Sequence, residues 1–180
     1  MVCTFLAPGF EEVEALAVVD LLRRAKIETK LVSTTDDIYV TSSHNITIKA
    51  DCLIDDVDYS QEDIVFLPGG IPGTPNLENN KRVTELVLDF YNSGRKIAAI
   101  CAAPSIFGHL GLLNGKKATS YPDFMSELTG ATVMEDAVVI DGNIITSRGM
   151  GTAIDLGLAL VGIIKGEDFA SNLAKTIQKL

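Results

Sequence analysis

The chain has 180 residues, of which 47% are hydrophobic and 22% are charged, and its net charge is −9. This length favours one domain, which buries enough apolar surface to need no disulfide or metal to hold it together. The negative charge argues against binding to nucleic acid or to anionic membranes, because both attract a positive field. No apolar run approaches the ~18 residues of a membrane span, and the first residues lack the basic segment of a signal peptide, which predicts a cytosolic protein.

The predicted elements alternate between strand and helix. Apolar runs bounded by turn residues predict strands, and apolar residues at helical spacing predict helices. In chain order we expect a strand at 2–7, a helix at 12–25, a strand at 29–33, a β-excursion at 39–48, a strand at 63–67, a helix at 81–92, a strand at 96–100, a hairpin of 137–140 with 143–146, and helices at 152–165 and 168–179.

Continuously apolar strands that alternate with helices are typical of a mostly parallel sheet covered on both faces. The chain is therefore predicted to be a doubly wound α/β layer fold, forming a single domain over residues 1–180. Sites in such folds lie outside the carboxyl ends of the strands. Three predicted strands end in unusual residues, at Pro8-Gly9, at Pro68-Gly69-Gly70 and at Cys101, so we expect the chemistry at that edge.

Cys101 directly follows a predicted buried strand, and Pro104, three residues later, suits the first turn of a helix. At such a turn, helix N–H groups stabilise a thiolate and lower the pKa of a cysteine. The alternative is a buried, unreactive thiol, which is the favoured interpretation for Cys3 and Cys52. The chain has no CxxC pair and only two histidines, so neither a zinc ribbon nor a His-rich metal centre is predicted.

Glu14 is the second candidate, because it lies on the apolar side of the predicted helix 12–25, in line with Val18 and Leu21. A glutamate in the first turn of a helix is ordinarily a surface residue that complements the dipole. Burial would instead raise the carboxyl pKa and keep the group protonated near neutral pH. A protonated carboxyl can hydrogen-bond to a thiolate or act as a general acid or base.

Gly69 and Gly70 follow another predicted strand, and two glycines let backbone N–H groups approach a ligand closely. A plain tight turn explains them equally well. Together with the N–H of Ala102, the Gly70 N–H would form an oxyanion hole beside the cysteine. The segment 147–152 superficially resembles a dinucleotide loop, but Ile154 replaces the third glycine, so no nucleotide cofactor is expected.

Five motifs occur in order: Ala7-Pro-Gly-Phe-Glu-Glu-Val-Glu14, Asp20-Leu-Leu-Arg-Arg24, Leu67-Pro-Gly-Gly70, Ala98-Ala-Ile-Cys-Ala-Ala-Pro104 and Thr146-Ser-Arg-Gly-Met-Gly-Thr152. With them the chain resembles the DJ-1/ThiJ/PfpI superfamily over essentially its whole length. It is most similar to the branch that holds the Parkinson-disease-associated deglycase and the YajL-type chaperone. The resemblance implies a flavodoxin-like α/β sandwich that is usually a homodimer and uses neither a cofactor nor a metal.

The resemblance also implies roles for single residues. Cys101 matches the family's reactive, oxidisable cysteine, and Glu14 matches its protonated partner. Gly70 and Ala102 match the backbone donors of the oxyanion pocket. Arg24 matches an arginine near the dimer interface.

The chain departs from the family at three positions. Tyr121 stands where the branch often has a histidine, so we expect no mechanism that uses a histidine at this position as a base. We expect Tyr121 to line the pocket together with Gly69. His44 replaces an arginine of the dimer interface. PfpI-type proteases carry a histidine directly after the cysteine, and Ala102 at this position argues against protease activity.

Two functions are consistent with these residues. The first, implied by the resemblance, is a glutathione-independent glyoxalase and deglycase that acts on methylglyoxal and on early glyoxal adducts of proteins. The second is a redox-regulated chaperone or stress-signalling protein in which Cys101 is oxidised to a sulfinate. Both use Cys101 and Glu14, so the sequence does not distinguish them.

Overall fold

The protein is built around a central sheet, described here from a computed structural model that covers residues 1–179. The strands are β1 (Val2–Leu6), β2 (Thr29–Ser33), β3 (Tyr39–Thr41), β4 (Thr47–Lys49), β5 (Cys52–Leu53), β6 (Ile64–Leu67), β7 (Lys96–Ile100), β8 (Lys117–Ala118), β9 (Thr132–Val133), β10 (Val138–Asp141) and β11 (Ile144–Ser147). Seven of them form the main sheet in the order β10-β11-β7-β6-β1-β2-β5. All neighbours in it are parallel except β10 and β11, which form an antiparallel hairpin.

Helices cover both faces of this sheet. They are α1 (Glu12–Arg24), α2 (Gly73–Asn79), α3 (Lys81–Asn92), α4 (Pro104–His109), α5 (Ala153–Lys165) and α6 (Glu167–Thr176). Helices α1, α5 and α6 pack on one face through an apolar cluster that includes Val18 and Leu160. Helices α2, α3 and α4 pack on the other face through a cluster that includes Phe90 and Phe107. The predicted doubly wound α/β fold is therefore confirmed.

Within residues 1–179, no helix has both the length and the apolar character that crossing a bilayer requires.

The strand register brings the carboxyl ends of β1, β6 and β7 to the same edge. Thr4 of β1 pairs with Phe66 of β6, and Leu67 of β6 pairs with Ala99 of β7. These strands are buried almost throughout, because the sheet is covered on both faces. The segments that follow them, which begin at residues 7, 68 and 101, therefore lie side by side.

Most predicted boundaries agree with the structure, and the differences have local causes. The strands at 29–33 and 96–100 and the helix at 81–92 match β2, β7 and α3 residue for residue. The last helix ends at Thr176 instead of 179, because Gln178 adopts a left-handed backbone with φ of 60°. The excursion at 39–48 is the separate hairpin of β3 and β4.

Candidate functional site

Cys101 lies in a strained turn between β7 and α4. Its φ is +64°, in the left-handed region, where a residue other than glycine costs about 1–3 kcal/mol. Two backbone hydrogen bonds hold the turn: the Cys101 N–H donates to Ser147 O at 3.0 Å, and the Tyr121 N–H donates to Cys101 O at 2.9 Å. The sulfur is thus presented at the carboxyl edge of the sheet, in the manner of a nucleophile elbow.

Glu14 reaches this turn from the first turns of α1 and is 1% exposed. Its Oε2 accepts a hydrogen bond from the Gly69 N–H at 2.8 Å. Its Oε1 is also buried and lies near Cys101. A methyl group placed on Gly149 would be 3.8 Å from the Cys101 sulfur and 4.0 Å from this oxygen. The carboxyl group and the sulfur therefore face the same small space.

Burial decides the protonation of Glu14. It raises the pKa of this carboxyl from 4.5 to about 7, and the negative charge of Glu11 adds to the rise. The neighbouring Cys101 thiol and the Gly69 N–H, which donates to Oε2, lower this pKa but do not cancel the rise. The group can therefore both accept and release a proton near neutral pH.

The Cys101 thiol is coupled to this carboxyl. Burial, together with the negative charge of Glu14, raises the thiol pKa from 9.0 to about 12, although the N–H groups of Ala102 and Gly70 lower it. The sequence predicts that the N-terminus of the following helix lowers the pKa of the Cys101 thiol. In the structure, α4 has only six residues, and burial has the larger effect on this pKa. A thiolate forms most readily when its proton moves to Glu14, because a neutral carboxyl no longer repels the charge on sulfur.

The two glycines after β6 let the backbone approach the site. Gly70 has φ of +96°, and a Cβ there would lie 2.5 Å from the Glu11 nitrogen. Its N–H and that of Ala102 both act on the Cys101 sulfur and lower the pKa of the thiol. The role of these two N–H groups as an oxyanion hole stays a prediction. Gly69 does not line the open pocket as expected: it is buried, because it fills the gap between Glu14 and Cys101.

An open cavity of about 390 Å³ lies beside the sulfur. Tyr121 and Met150 form its walls, and Gly149 connects it to Cys101. The Tyr121 side chain is 46% exposed, and its Cδ2 would lie 3.5 Å from a methyl group on Gly149. The structure therefore places Tyr121 in the wall of the pocket. The cavity is large enough for a small carbonyl compound.

Arg24 and His44, which the resemblance associates with a dimer interface, lie on the surface. Arg24 Nε donates to Asp20 Oδ2 at 2.6 Å, and its side chain is 55% exposed. His44 is 66% exposed and lies against Glu11 and Glu12, a group that the sequence analysis does not predict. The interface role of both residues stays a prediction.

The model of the family described as "DJ-1/PfpI family" matches residues 1–162. Protein DJ-1 homolog A of Arabidopsis thaliana is 40% identical over 96% of this chain, and Protein dj-1beta of Drosophila melanogaster is 36% identical over 94% of this chain and 92% of its own length. The chain spans less than half the length of the two Arabidopsis relatives, 45% of homolog A and 38% of homolog B.

Solved structures agree with the sequence comparison. The structure described as "Toxoplasma gondii DJ-1, oxidized" superimposes with a TM-score of 0.94 at 33% identity, covering 98% of this chain and 97% of the other. Drosophila melanogaster DJ-1beta gives a TM-score of 0.94 at 34% identity, covering 99% and 97%. With the family model matching 162 of 180 residues, this chain belongs to the DJ-1/PfpI family.

Proposed function

We propose that the protein is a cofactor-independent glyoxalase that converts methylglyoxal to lactate, and that it also removes early glyoxal adducts from proteins. The observation that carries this proposal is the pairing of the buried Glu14 carboxyl with the partly exposed Cys101, which face one small space beside an open cavity. A carboxyl group whose pKa lies near 7 suits proton transfer at neutral pH. The neighbouring sulfur supplies the nucleophile.

The proposed reaction begins when the Cys101 sulfur adds to the aldehyde carbon of methylglyoxal. A carbon–sulfur bond forms, the carbonyl π bond breaks, and the thiol proton passes by way of Glu14 to the former aldehyde oxygen. The product is a hemithioacetal. The N–H groups of Gly70 and Ala102 stabilise the negative charge that develops on this oxygen.

Glu14 then moves a second proton between adjacent carbons. Its carboxylate removes the proton from the carbon bound to sulfur, which gives an enediolate, and returns this proton to the neighbouring ketone carbon. The hydroxyl proton on the first carbon moves to the oxygen of the second, so that the first oxygen becomes a carbonyl and the second a hydroxyl. The first carbon is thereby oxidised to a thioester and the second is reduced to an alcohol, so no external oxidant or reductant is consumed. Water cleaves the thioester, which releases lactate and restores the Cys101 thiol.

A second candidate function, redox sensing, rests on a different observation. One similar structure, that of Toxoplasma gondii DJ-1, is described as oxidized. In this chain a protonated Glu14 would donate a hydrogen bond to a Cys101 sulfinate and stabilise it. The protein would then act as a chaperone or signalling partner under oxidative stress.

Proteins of this family are commonly dimers. We propose a homodimer for this chain as well. Light scattering at micromolar concentration should give twice the mass of the chain, and a monomer would contradict the proposal.

The experiment that tests the proposed activity measures lactate formed from methylglyoxal in the absence of glutathione. The wild-type protein should produce lactate, and Cys101→Ser should reduce production to the uncatalysed rate. If the wild-type protein forms no lactate while peroxide converts Cys101 to a sulfinate, the glyoxalase proposal is wrong and the redox function is favoured.

A further inference from the structure

Gly149 is the residue at which the open cavity meets the reactive pair. It lies between β11 and one turn of 3₁₀ helix at Met150–Thr152. A methyl group placed on it would be 3.5 Å from Tyr121 Cδ2, 3.8 Å from the Cys101 sulfur and 4.0 Å from Glu14 Oε1. The lack of a side chain therefore leaves a space about the size of one methyl group in front of the sulfur and the carboxyl group. We infer that Gly149 is a specificity-determining residue, which keeps this space free for the aldehyde carbon of the substrate.

The fold itself does not require a glycine at this position. Gly149 has φ of 161° and ψ of −168°, an extended backbone outside the left-handed region. Apart from its chain neighbours, the nearest atom of residues 1–179 would be 3.5 Å from a new Cβ, which is an ordinary contact distance. Gly69 and Gly70 differ, because a Cβ would lie 2.6 Å from the Cys101 Cβ in the first case and 2.5 Å from the Glu11 nitrogen in the second. The glycine at position 149 is therefore explained by the space that it leaves.

Hydrogen bonds hold Gly149 in this place. Its N–H donates to Thr152 Oγ1 at 3.1 Å, and the Thr152 N–H donates to Gly149 O at 2.8 Å. Thr152 Oγ1 also lies 2.7 Å from Ser147 Oγ, and the Ser147 hydroxyl donates to Ala137 O at 2.7 Å. Ser147 is fully buried, and its carbonyl accepts the Cys101 N–H at 3.0 Å. One residue thus fixes both the cysteine turn and the segment that carries Gly149, so the space is present before a substrate binds.

The geometry of attack places the substrate in this space. A carbon that is about to bond to sulfur must approach it to about 3–3.5 Å. The side of the pair that faces Gly69 is closed, because a Cβ there would meet both Cys101 and Glu14, whereas the side that faces Gly149 opens to the cavity. Carbon atoms that are not bonded to each other pack no closer than about 3.5 Å. A methyl group at Gly149 and an approaching aldehyde carbon therefore exclude each other.

The width of the space selects the end of the substrate that reacts. An aldehyde carbon carries only an oxygen and a hydrogen besides its bond to the rest of the molecule. A ketone carbon carries a second carbon substituent and is wider. The space beside Gly149 therefore directs the Cys101 sulfur to the aldehyde end of a 2-oxoaldehyde. This inference rests on the proposed function for its substrate, whereas the space itself can be tested without turnover.

The test compares Gly149→Ala with wild type in the reactions of Cys101 with hydrogen peroxide and with iodoacetamide, followed by mass spectrometry of the peptide that contains Cys101. The thiolate attacks both reagents, so a changed thiol pKa alters both rate constants together and cancels in their ratio. Iodoacetamide needs more room than peroxide. One methyl group in a pocket changes selectivity by about 10–200-fold, so the ratio of the iodoacetamide rate constant to the peroxide rate constant should fall at least about 10-fold. The kcat/KM for methylglyoxal should fall by a similar factor.

Gly151→Ala is the matched control. It adds the same methyl group two residues away, where, apart from chain neighbours, no atom of residues 1–179 lies within 4 Å. Its reagent ratio and its turnover should equal those of wild type. The inference is wrong if Gly149→Ala keeps the wild-type ratio, if the two variants change alike, or if Gly149→Ala fails to fold, since the fold would then require the glycine. If wild type forms no lactate, the proposed function is wrong, and the reagent ratio alone decides whether Gly149 controls access to Cys101.

Discussion

Glu14 and Cys101 are separated by a glycine that leaves room for no side chain. A Cβ on Gly69 would lie 2.6 Å from the Cys101 Cβ and 2.7 Å from Glu14 Oε2, the oxygen that accepts the Gly69 N–H. Both distances are shorter than real carbon contacts, so any larger residue must push the carboxyl group and the cysteine apart. Gly69 therefore sets the spacing of the proposed catalytic pair.

The first prediction concerns this spacing. Gly69→Ala should lower methylglyoxal turnover by about 100-fold, because a displacement of the order of 1 Å at reacting groups costs this much. Gly94→Ala is the control: Gly94 has φ of +76° and nothing within 4 Å of a new Cβ. It should lose about 1 kcal/mol of stability and no activity. Equal activity of the two variants would show that the spacing does not matter.

The second prediction concerns oxidation. Mild peroxide should convert Cys101 to a sulfinate before it modifies Cys3 or Cys52, as measured by mass spectrometry of peptides. Cys3 is fully buried. Cys52 is partly exposed, as Cys101 is, but it lacks the two backbone N–H groups that act on the Cys101 sulfur. Burial raises the pKa of the Cys101 thiol, but transfer of its proton to Glu14, together with these donors, gives the thiolate that peroxide attacks. Earlier oxidation of Cys52 would show that exposure alone determines which thiol is oxidised first.

The third prediction concerns Tyr121. Its backbone N–H holds the cysteine turn, but its side chain only forms the pocket wall. Tyr121→Phe keeps both contacts and loses one hydroxyl, which is worth about 1 kcal/mol, so turnover should fall by less than about 10-fold. Cys101→Ser should abolish turnover. Equal losses would identify Tyr121 as a proton carrier, and lactate formation by the two variants decides the question.

The fold was predictable where a segment carries its own pattern. The apolar run of β7 and the amphipathic period of α3 fix both elements residue for residue. Strands β5, β8 and β9 have only two residues each, too few to show an alternating pattern. They form because other strands of the same chain pair with them. The sequence pattern does not indicate helix α2, because glycine and proline occupy its first turn.

The candidate site was predictable in part, for a similar reason. Cys101 is marked by its place after a strand, and Glu14 by its place on the apolar side of a helix, and both signals are local. The grouping of His44 with Glu11 and Glu12 depends on how a distant hairpin folds back onto α1, which no local pattern reports. The high pKa of Cys101 likewise depends on burial by the surrounding fold.

The fourth prediction concerns stability and pH. Because the pKa of Glu14 is raised from 4.5 to about 7 in the folded state, unfolding releases its proton between these values. The stabilisation is complete below pH 4.5 and is lost as the pH rises through 7. Relative to Glu14→Gln, the wild-type protein should therefore lose about 3 kcal/mol of unfolding free energy over this range. Denaturant unfolding of both proteins at several pH values would measure this loss, and parallel curves would contradict it.

The most direct test of the proposed mechanism compares Glu14→Gln with wild type in two assays on the same samples. Glutamine keeps the size of the side chain and a hydrogen-bond donor but cannot transfer a proton. Methylglyoxal turnover should therefore disappear, while Cys101 should still react with an alkylating agent. Glu14→Asp, which withdraws the carboxyl group by one methylene, should have an intermediate rate.

The decisive quantity is the rate of lactate formation by Glu14→Gln, measured on protein whose Cys101 is shown by alkylation to be intact and accessible. If Glu14 transfers the proton, this rate is no higher than that of Cys101→Ser. A rate close to wild type would contradict this mechanism, because Glu14 would then have no part in proton transfer.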